Sequence, residues 1–216
     1  VDFEYIIASD RDLFTAFVAE LRGRMNESGR TVSVALAPKT SDDQPGLLYE
    51  GKDYAGLGAA ADSVLLMTYE WGHAYSPPMA VAPVDQVRRV VEYAVSRIDP
   101  AKINLGIPNY GYDWTLPFTE GAPRARTIGN IEAVQQAVEK GAEIYFDETA
   151  QAPYYFYVED GVTHEVWFED VRSISSKFAL IEEFGLLGAG YWQLMRLFRA
   201  NWILAAETFH IEGSSM

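Results

Sequence analysis

Four stretches of this chain, Thr31–Ala37, Ser63–Tyr69, Lys102–Ile107 and Leu187–Trp192, carry branched and apolar residues on both faces of a strand rather than on one. A strand that is hydrophobic on both faces needs cover on both, the mark of a parallel sheet wrapped in helices. The segments between them supply those helices. Leu13, Phe14, Phe17, Leu21 and Met25 recur at helical spacing between a start at Ser9–Asp12, with Ser9 capping, and a stop at Gly29. A short Ala/Gly-rich helix is expected near Tyr54–Ala61. Pro83 opens another, with Val84, Val87, Val90, Val91, Ala94 and Val95 inward, and Pro100 stops it. Val171, Ile174, Phe178, Ile181 and Phe184 mark a further helix closed by Gly185, and Trp202, Ile203, Ala206 and Phe209 a last one.

The opening stretch Val1–Ile7 reads as a fifth buried strand interrupted by two carboxylates. Strand alternation puts Asp2 and Glu4 on one side, roughly 6.5–7 Å apart, and Phe3 and Tyr5 on the other. Two buried acids on one face disfavour each other's charge, which leaves one of them protonated as a general acid must be. An exposed edge strand with two solvated acids is the plainer alternative. The chain opens inside this strand and without Met, so the start of the polypeptide, and any targeting signal, is expected upstream.

Regular order breaks in the middle. Asn130 can cap a helix carrying Ile131, Val134 and Val138 up to Gly141, and Asp160-Gly161 stands between two aromatic, β-branched arms as a hairpin turn. The expected organisation is therefore a first barrel-like part over 1–111, an α+β insertion over 112–167, and a closing helix-strand-helix over 168–216. Five parallel-type strands fall short of the eight of a closed (β/α)8 barrel. Either the sheet is open, or this is the back end of a barrel whose front lies elsewhere.

Composition narrows the partners. A net charge of −14 argues against a nucleic-acid backbone or an anionic membrane, and no apolar run approaches a membrane span. Without cysteine there is no disulfide and no thiolate chemistry, which fits the cytosol and an exported protein equally. His73, His164 and His210 lack metal-ligand spacing, Gly56-Leu57-Gly58 lacks the rest of a dinucleotide fingerprint, and no serine stands in a nucleophile elbow. Neither a metal nor a cofactor is expected.

In α/β folds the chemistry collects where parallel strands end. Those ends carry Asp2 and Glu4, then Met67–Trp71, then Pro108–Trp114, then Tyr191–Gln193. Acids, amides and aromatic rings gathered at one rim suit a sugar, which stacks its C–H face on a ring and hydrogen-bonds through its hydroxyls.

These residues resemble the family 18 glycoside hydrolases. Asp2-Phe3-Glu4 is similar to the end of that family's Asp-x-x-Asp-x-Asp-x-Glu strand motif, while Met67-Thr68-Tyr69, Gly106–Gly111 and Gly190-Tyr191-Trp192 match later strands in order. Thr68–Gly72, Pro77–Ala80 and Tyr110–Pro117 look most like the spore-cortex-lytic branch. Two features depart from the pattern: the first part of the barrel is absent, and Glu70 stands where the family usually has Asp.

The resemblance implies the C-terminal portion of a (β/α)8 barrel with an α+β insertion, cleaving N-acetylglucosaminyl bonds of peptidoglycan at a bacterial spore or cell envelope. It implies Glu4 as acid and base, Asp2 holding the substrate acetamido group, and Tyr69 donating to its carbonyl. Glu70, Trp71, Asn109, Tyr110, Tyr112, Trp114, Trp192 and Gln193 would line the sugar site. A chitinase or other N-acetylglucosaminidase, and a non-catalytic sugar-binding protein, are the rival readings. Association through the open barrel edge is also expected.

Overall fold

The structure, a computed structural model, describes residues 1–121 and 123–211. In chain order come α1 (Arg11–Asn26), β1 (Ser33–Leu36), α2 (Tyr54–Ala60), β2 (Ser63–Leu66), α3 (Val84–Val95), β3 (Ile103–Pro108) and β4 (Tyr110–Leu116). There follow β5 (Arg126–Gly129), α4 (Asn130–Lys140), β6 (Tyr145–Asp147), β7 (Ala152–Glu159) and β8 (Val162–Trp167). The last elements are α5 (Val171–Phe184), β9 (Gly188–Trp192) and α6 (Arg199–Thr208). They divide between two compact units. One comprises Val1–Thr68, Gln86–Ile107 and Leu180–Gly190; the other holds Tyr69–Asp85, Pro108–Ala179 and the chain from Tyr191 on.

The first unit is built on the sheet β1-β2-β3-β9, in which β1 pairs parallel with β2 and β2 with β3. Val34, Leu36, Val64, Leu66, Ile103 and Leu105 are fully buried, as strands covered on both faces require. Val87, Val90, Val91 and Ala94 of α3 form the buried stripe expected of them.

Val1–Ile7 is not the buried strand that its composition suggests. Only Val1 joins the edge of β1, its amine donating to the Ser33 carbonyl and its own carbonyl accepting from the Ala35 N–H. Beyond it the main chain leaves the sheet, and Asp2, Phe3, Glu4 and Tyr5 are exposed. Burial needs a second layer over these residues, and among the described residues none covers them. In the same region α1 buries Phe14 and Val18 while Leu13 and Phe17 face outward, and the Asp10 that precedes it makes no side-chain cap; Ser9 does not cap it either.

The second unit contains an antiparallel sheet ordered β5-β4-β8-β7-β6. Asp160 and Gly161 take left-handed φ of 50° and 79°, which closes the β7–β8 hairpin. Gly111 must be glycine because a Cβ there would collide with the Trp167 carbonyl of β8. Alternation along β4 sends Tyr110, Tyr112 and Trp114 to one face, where they pack with Ala74, Val81 and Ala125. The other face receives α4 on Ile128, Tyr155, Tyr157, Val166 and Phe168.

Helix α4 is present as expected and packs through Ala133 and Ala137, while Ile131, Val134 and Val138 are exposed; its N-cap is Gly129, with Asn130 already the first helical residue rather than the cap. Two alanines bring the helix axis closer to the sheet than branched residues allow. Strand β9 is half-buried rather than buried, and α6 hides Asn201 and Ala205 while Ile203 lies outside.

Candidate active site

Asp2 and Glu4 belong to the first unit, where their side chains are open to solvent. What sequence reasoning missed there is the lysine beneath them. Lys52 is fully buried, donates to the Phe3 carbonyl between the two acids, and stands 4.6 Å over the Phe14 ring. Burial holds its pKa below the ordinary lysine value, and the charges of Asp2 and Glu4 work against that shift. Lys39, also buried, donates to the main-chain carbonyls of Asp42 and Lys52 at 3.1 Å each. Lysine is rarely fully buried. The one local hint is that Lys39 follows the apolar strand Thr31–Ala37 across Pro38.

The second unit brings Tyr69, Glu70, Tyr110, Tyr112 and Trp114 together. Glu70 has a left-handed φ of 69°, uncommon for a residue with a Cβ. Its carboxylate accepts the Tyr110 hydroxyl at 2.5 Å and the Tyr112 hydroxyl at 2.9 Å. Burial, then the Glu70 charge, pushes both phenols above the ordinary tyrosine value. The Trp114 indole donates to the Ser76 carbonyl at 2.8 Å inside the same cluster, against which half-buried Tyr69 packs. Tyr110, Tyr112 and Trp114 thus form a buried wall behind Glu70, not an open platform. Trp71 continues the segment, its N–H donating to the Val81 carbonyl at 3.0 Å.

A second group sits at the end of β9. Trp192 exposes 53% of its surface, and the peptide joining it to Gln193 is cis. Asn109, expected to meet sugar, is buried, and its side-chain amide is bonded to the main chain of Gln193 and Arg196. Gln193 is half-buried beside it.

Asp113 points to the opposite face of β4, away from the aromatic wall. Its buried carboxylate meets Nδ1 of His164 at 2.8 Å, the Tyr157 hydroxyl at 2.8 Å and the Arg126 guanidinium at 3.1 Å. Its Arg126 contact follows from sheet pairing, since Asp113 stands opposite Arg126 across β4 and β5. Among the described residues no three His, Asp or Glu side chains are placed to hold a metal ion.

The family described as "Glycosyl hydrolases family 18" matches residues 1–196. The chain belongs to that family. This family 18 chain is 46% identical over 211 residues to the cortical fragment-lytic enzyme of Bacillus subtilis (strain 168), covering 97% of itself and 49% of that relative. It overlays the crystal structure of the Bacillus cereus spore cortex-lytic enzyme SleL with a TM-score of 0.94 at 43% identity, covering 98% of itself and 49% of that chain. A chitinase from Chromobacterium violaceum follows the same fold with a TM-score of 0.87 at 30% identity, over 96% of this chain and 64% of that one. The family 18 chain therefore spans about half the length of the curated cortex-lytic relative it matches. Its fold is a partial α/β barrel of the chitinase type carrying an α+β insertion. No helix among the described residues is long and apolar enough to cross a membrane.

Proposed function

We propose that this chain belongs to a retaining glycosidase that cleaves N-acetylglucosaminyl bonds in spore-cortex peptidoglycan. One observation carries the reading: Asp2, Glu4 and Tyr69 are all present in a chain 46% identical to a cortical fragment-lytic enzyme. The substrate's own acetamido group is the nucleophile in this chemistry, so a single carboxyl serves as both acid and base. Glu4 protonates the departing glycosidic oxygen as the acetamido oxygen closes on the anomeric carbon to form an oxazolinium ion. Asp2 accepts the acetamido N–H and stabilises the positive charge. Tyr69 donates its hydroxyl to the acetamido oxygen before attack. Glu4 then takes a proton from water, which opens the ring from the face the leaving group left, with net retention.

The sugar itself is met by the exposed face of Trp192, by Trp71 and by Gln193. Glu70 contributes its outer oxygen, while the Tyr110 and Tyr112 hydroxyls fix it from behind and Trp114 packs on Tyr112. Asn109 contributes through the main chain it binds. A bacterial spore or its envelope is the place of action that fits this substrate.

The 31% identity to the di-N-acetylchitobiase of Rattus norvegicus favours chitin-type oligosaccharides as a second substrate reading. Reducing-end release by the full-length protein tests both. Release from cortex peptidoglycan and little from chitin supports the proposal; the reverse preference supports the chitinase reading; release from neither removes both.

A further inference from the structure

Asn109 makes contacts that neither the strand before it nor the aromatic run after it requires. It is 3% exposed. Its Nδ2 donates to the Gln193 carbonyl at 2.7 Å and the Arg196 carbonyl at 3.0 Å, and its Oδ1 accepts the Gln193 N–H at 2.8 Å. Its own main-chain N–H donates to the Trp192 carbonyl at 3.0 Å. Four hydrogen bonds from one residue thus land on the main chain between Trp192 and Arg196.

Beside these bonds the segment has a long ion pair from Arg196 to Glu132 at 3.9 Å and an Arg196 N–H to Gln193 carbonyl bond at 3.4 Å. Leu194 and Met195 are 82% and 88% exposed, and Trp192 itself is half open to solvent. Apolar packing therefore supplies little restraint, and the polar latch sets where the Trp192 main chain ends and turns.

Asparagine alone has the inventory for this at that length: two donors and an acceptor on one planar group. Aspartate offers no donor and would aim negative oxygens at two carbonyls. Glutamine carries the same amide about one bond length further out, and alanine leaves the buried main-chain groups unmatched.

We propose that Asn109 is a positioning residue for the Trp192 platform. It acts on sugar binding through Trp192 and not by touching the sugar. This rests on the reading of Trp192 as the floor of the sugar site.

The test uses the full-length protein with Asn109→Asp, Trp192→Ala and the double variant, assayed on an N-acetylglucosamine oligomer. Asn109→Asp should raise KM about 10- to 100-fold, with a smaller change in kcat and no shift in the pH profile. Added to Trp192→Ala it should do almost nothing more, because both act at one place. A folded Asn109→Asp protein with ordinary KM, or an effect that simply multiplies with that of Trp192→Ala, overturns the proposal. If Trp192→Ala leaves KM unchanged, the reading of Trp192 as the sugar floor has failed, and the proposal, which acts through that floor, falls with it. A second measurement needs no variant and decides the latch itself, also where Asn109→Asp does not fold. The Gln193 amide of the wild-type protein should exchange slowly with solvent, as a donor to a buried acceptor does. Exchange at the rate of a free loop overturns the latch whatever the platform binds.

Discussion

The Tyr110 hydroxyl donates to Glu70 across 2.5 Å, and the residue that presents this carboxylate does so from a left-handed backbone. A residue with a Cβ adopts that conformation at a cost of roughly 1–2 kcal/mol, so something must hold it there. The two buried phenols that donate to its carboxylate provide the hold. Glu70→Asp withdraws the carboxylate by about one bond length and strands at least one hydroxyl in the aromatic cluster. We expect a loss of about 1–3 kcal/mol in urea unfolding. An unchanged midpoint and slope would mean that the two tyrosines find other partners.

Tyr69 packs beside that cluster, and its hydroxyl is the part that the proposed chemistry uses. Tyr69→Phe should lower kcat on an N-acetylated substrate by roughly 10- to 1,000-fold, with the circular dichroism spectrum unchanged. Activity equal to the wild type would remove the substrate-assisted scheme.

Glu169 and Lys177 form an ion pair at 2.9 Å with both side chains fully buried, and Ser173 donates to the same carboxylate oxygen at 2.6 Å. Burial pushes the Glu169 carboxyl above its ordinary value, and the Lys177 charge opposes that. Removing one partner leaves the other charge buried and alone. Glu169→Ala should therefore cost about 3–5 kcal/mol in chemical denaturation. A loss below about 1 kcal/mol would show that Lys177 reaches solvent or sheds its proton cheaply.

Alkaline pH should unfold the chain through its tyrosines. Burial raises Tyr54, Tyr110, Tyr155 and Tyr157 above the ordinary value, and Tyr93 is pushed up to about 12. The unfolded chain releases these protons near pH 10 while the folded chain keeps them. Their stabilisation is therefore complete below about pH 10 and is lost as pH rises beyond it. Lys39 and Lys52, held low by burial, act the other way and favour the folded chain as pH climbs toward the ordinary lysine value of 10.5. Urea midpoints between pH 8 and 12, with phenolate absorbance read in parallel, should show the fall beginning near pH 10. A steady decline from pH 8, or phenolate formation by all tyrosines before unfolding, would contradict this.

The parallel sheet was legible because its strands are apolar on both faces, and the β7–β8 hairpin because Asp160-Gly161 suits two successive left-handed residues. Helix α4 was legible from its spacing and its stop at Gly141, but its cap and its buried face were not: Gly129 precedes the first turn in place of Asn130, and Ala133 and Ala137 allow the close approach to the sheet. The opening stretch has the composition of a buried strand, but composition does not say whether a layer lies over Asp2 and Glu4. Asn109 illustrates a different limit. The amide that could serve a sugar serves a main chain equally well, and only the 84-residue reach to Gln193 distinguishes them. The Asp113 network is hidden for the same reason, since Arg126, Tyr157 and His164 reach it through sheet pairing.

Glu4 is central to the proposed mechanism, in which it supplies the proton that frees the departing glycosidic oxygen. The direct measurement is turnover of cortex peptidoglycan by the full-length protein bearing Glu4→Gln, alongside its affinity for the same substrate. Turnover should fall roughly 10²–10⁴-fold while binding is kept, since glutamine preserves shape and polarity but gives up no proton at neutral pH. Turnover within about twofold of the wild type, with binding intact, would contradict the assignment of the acid.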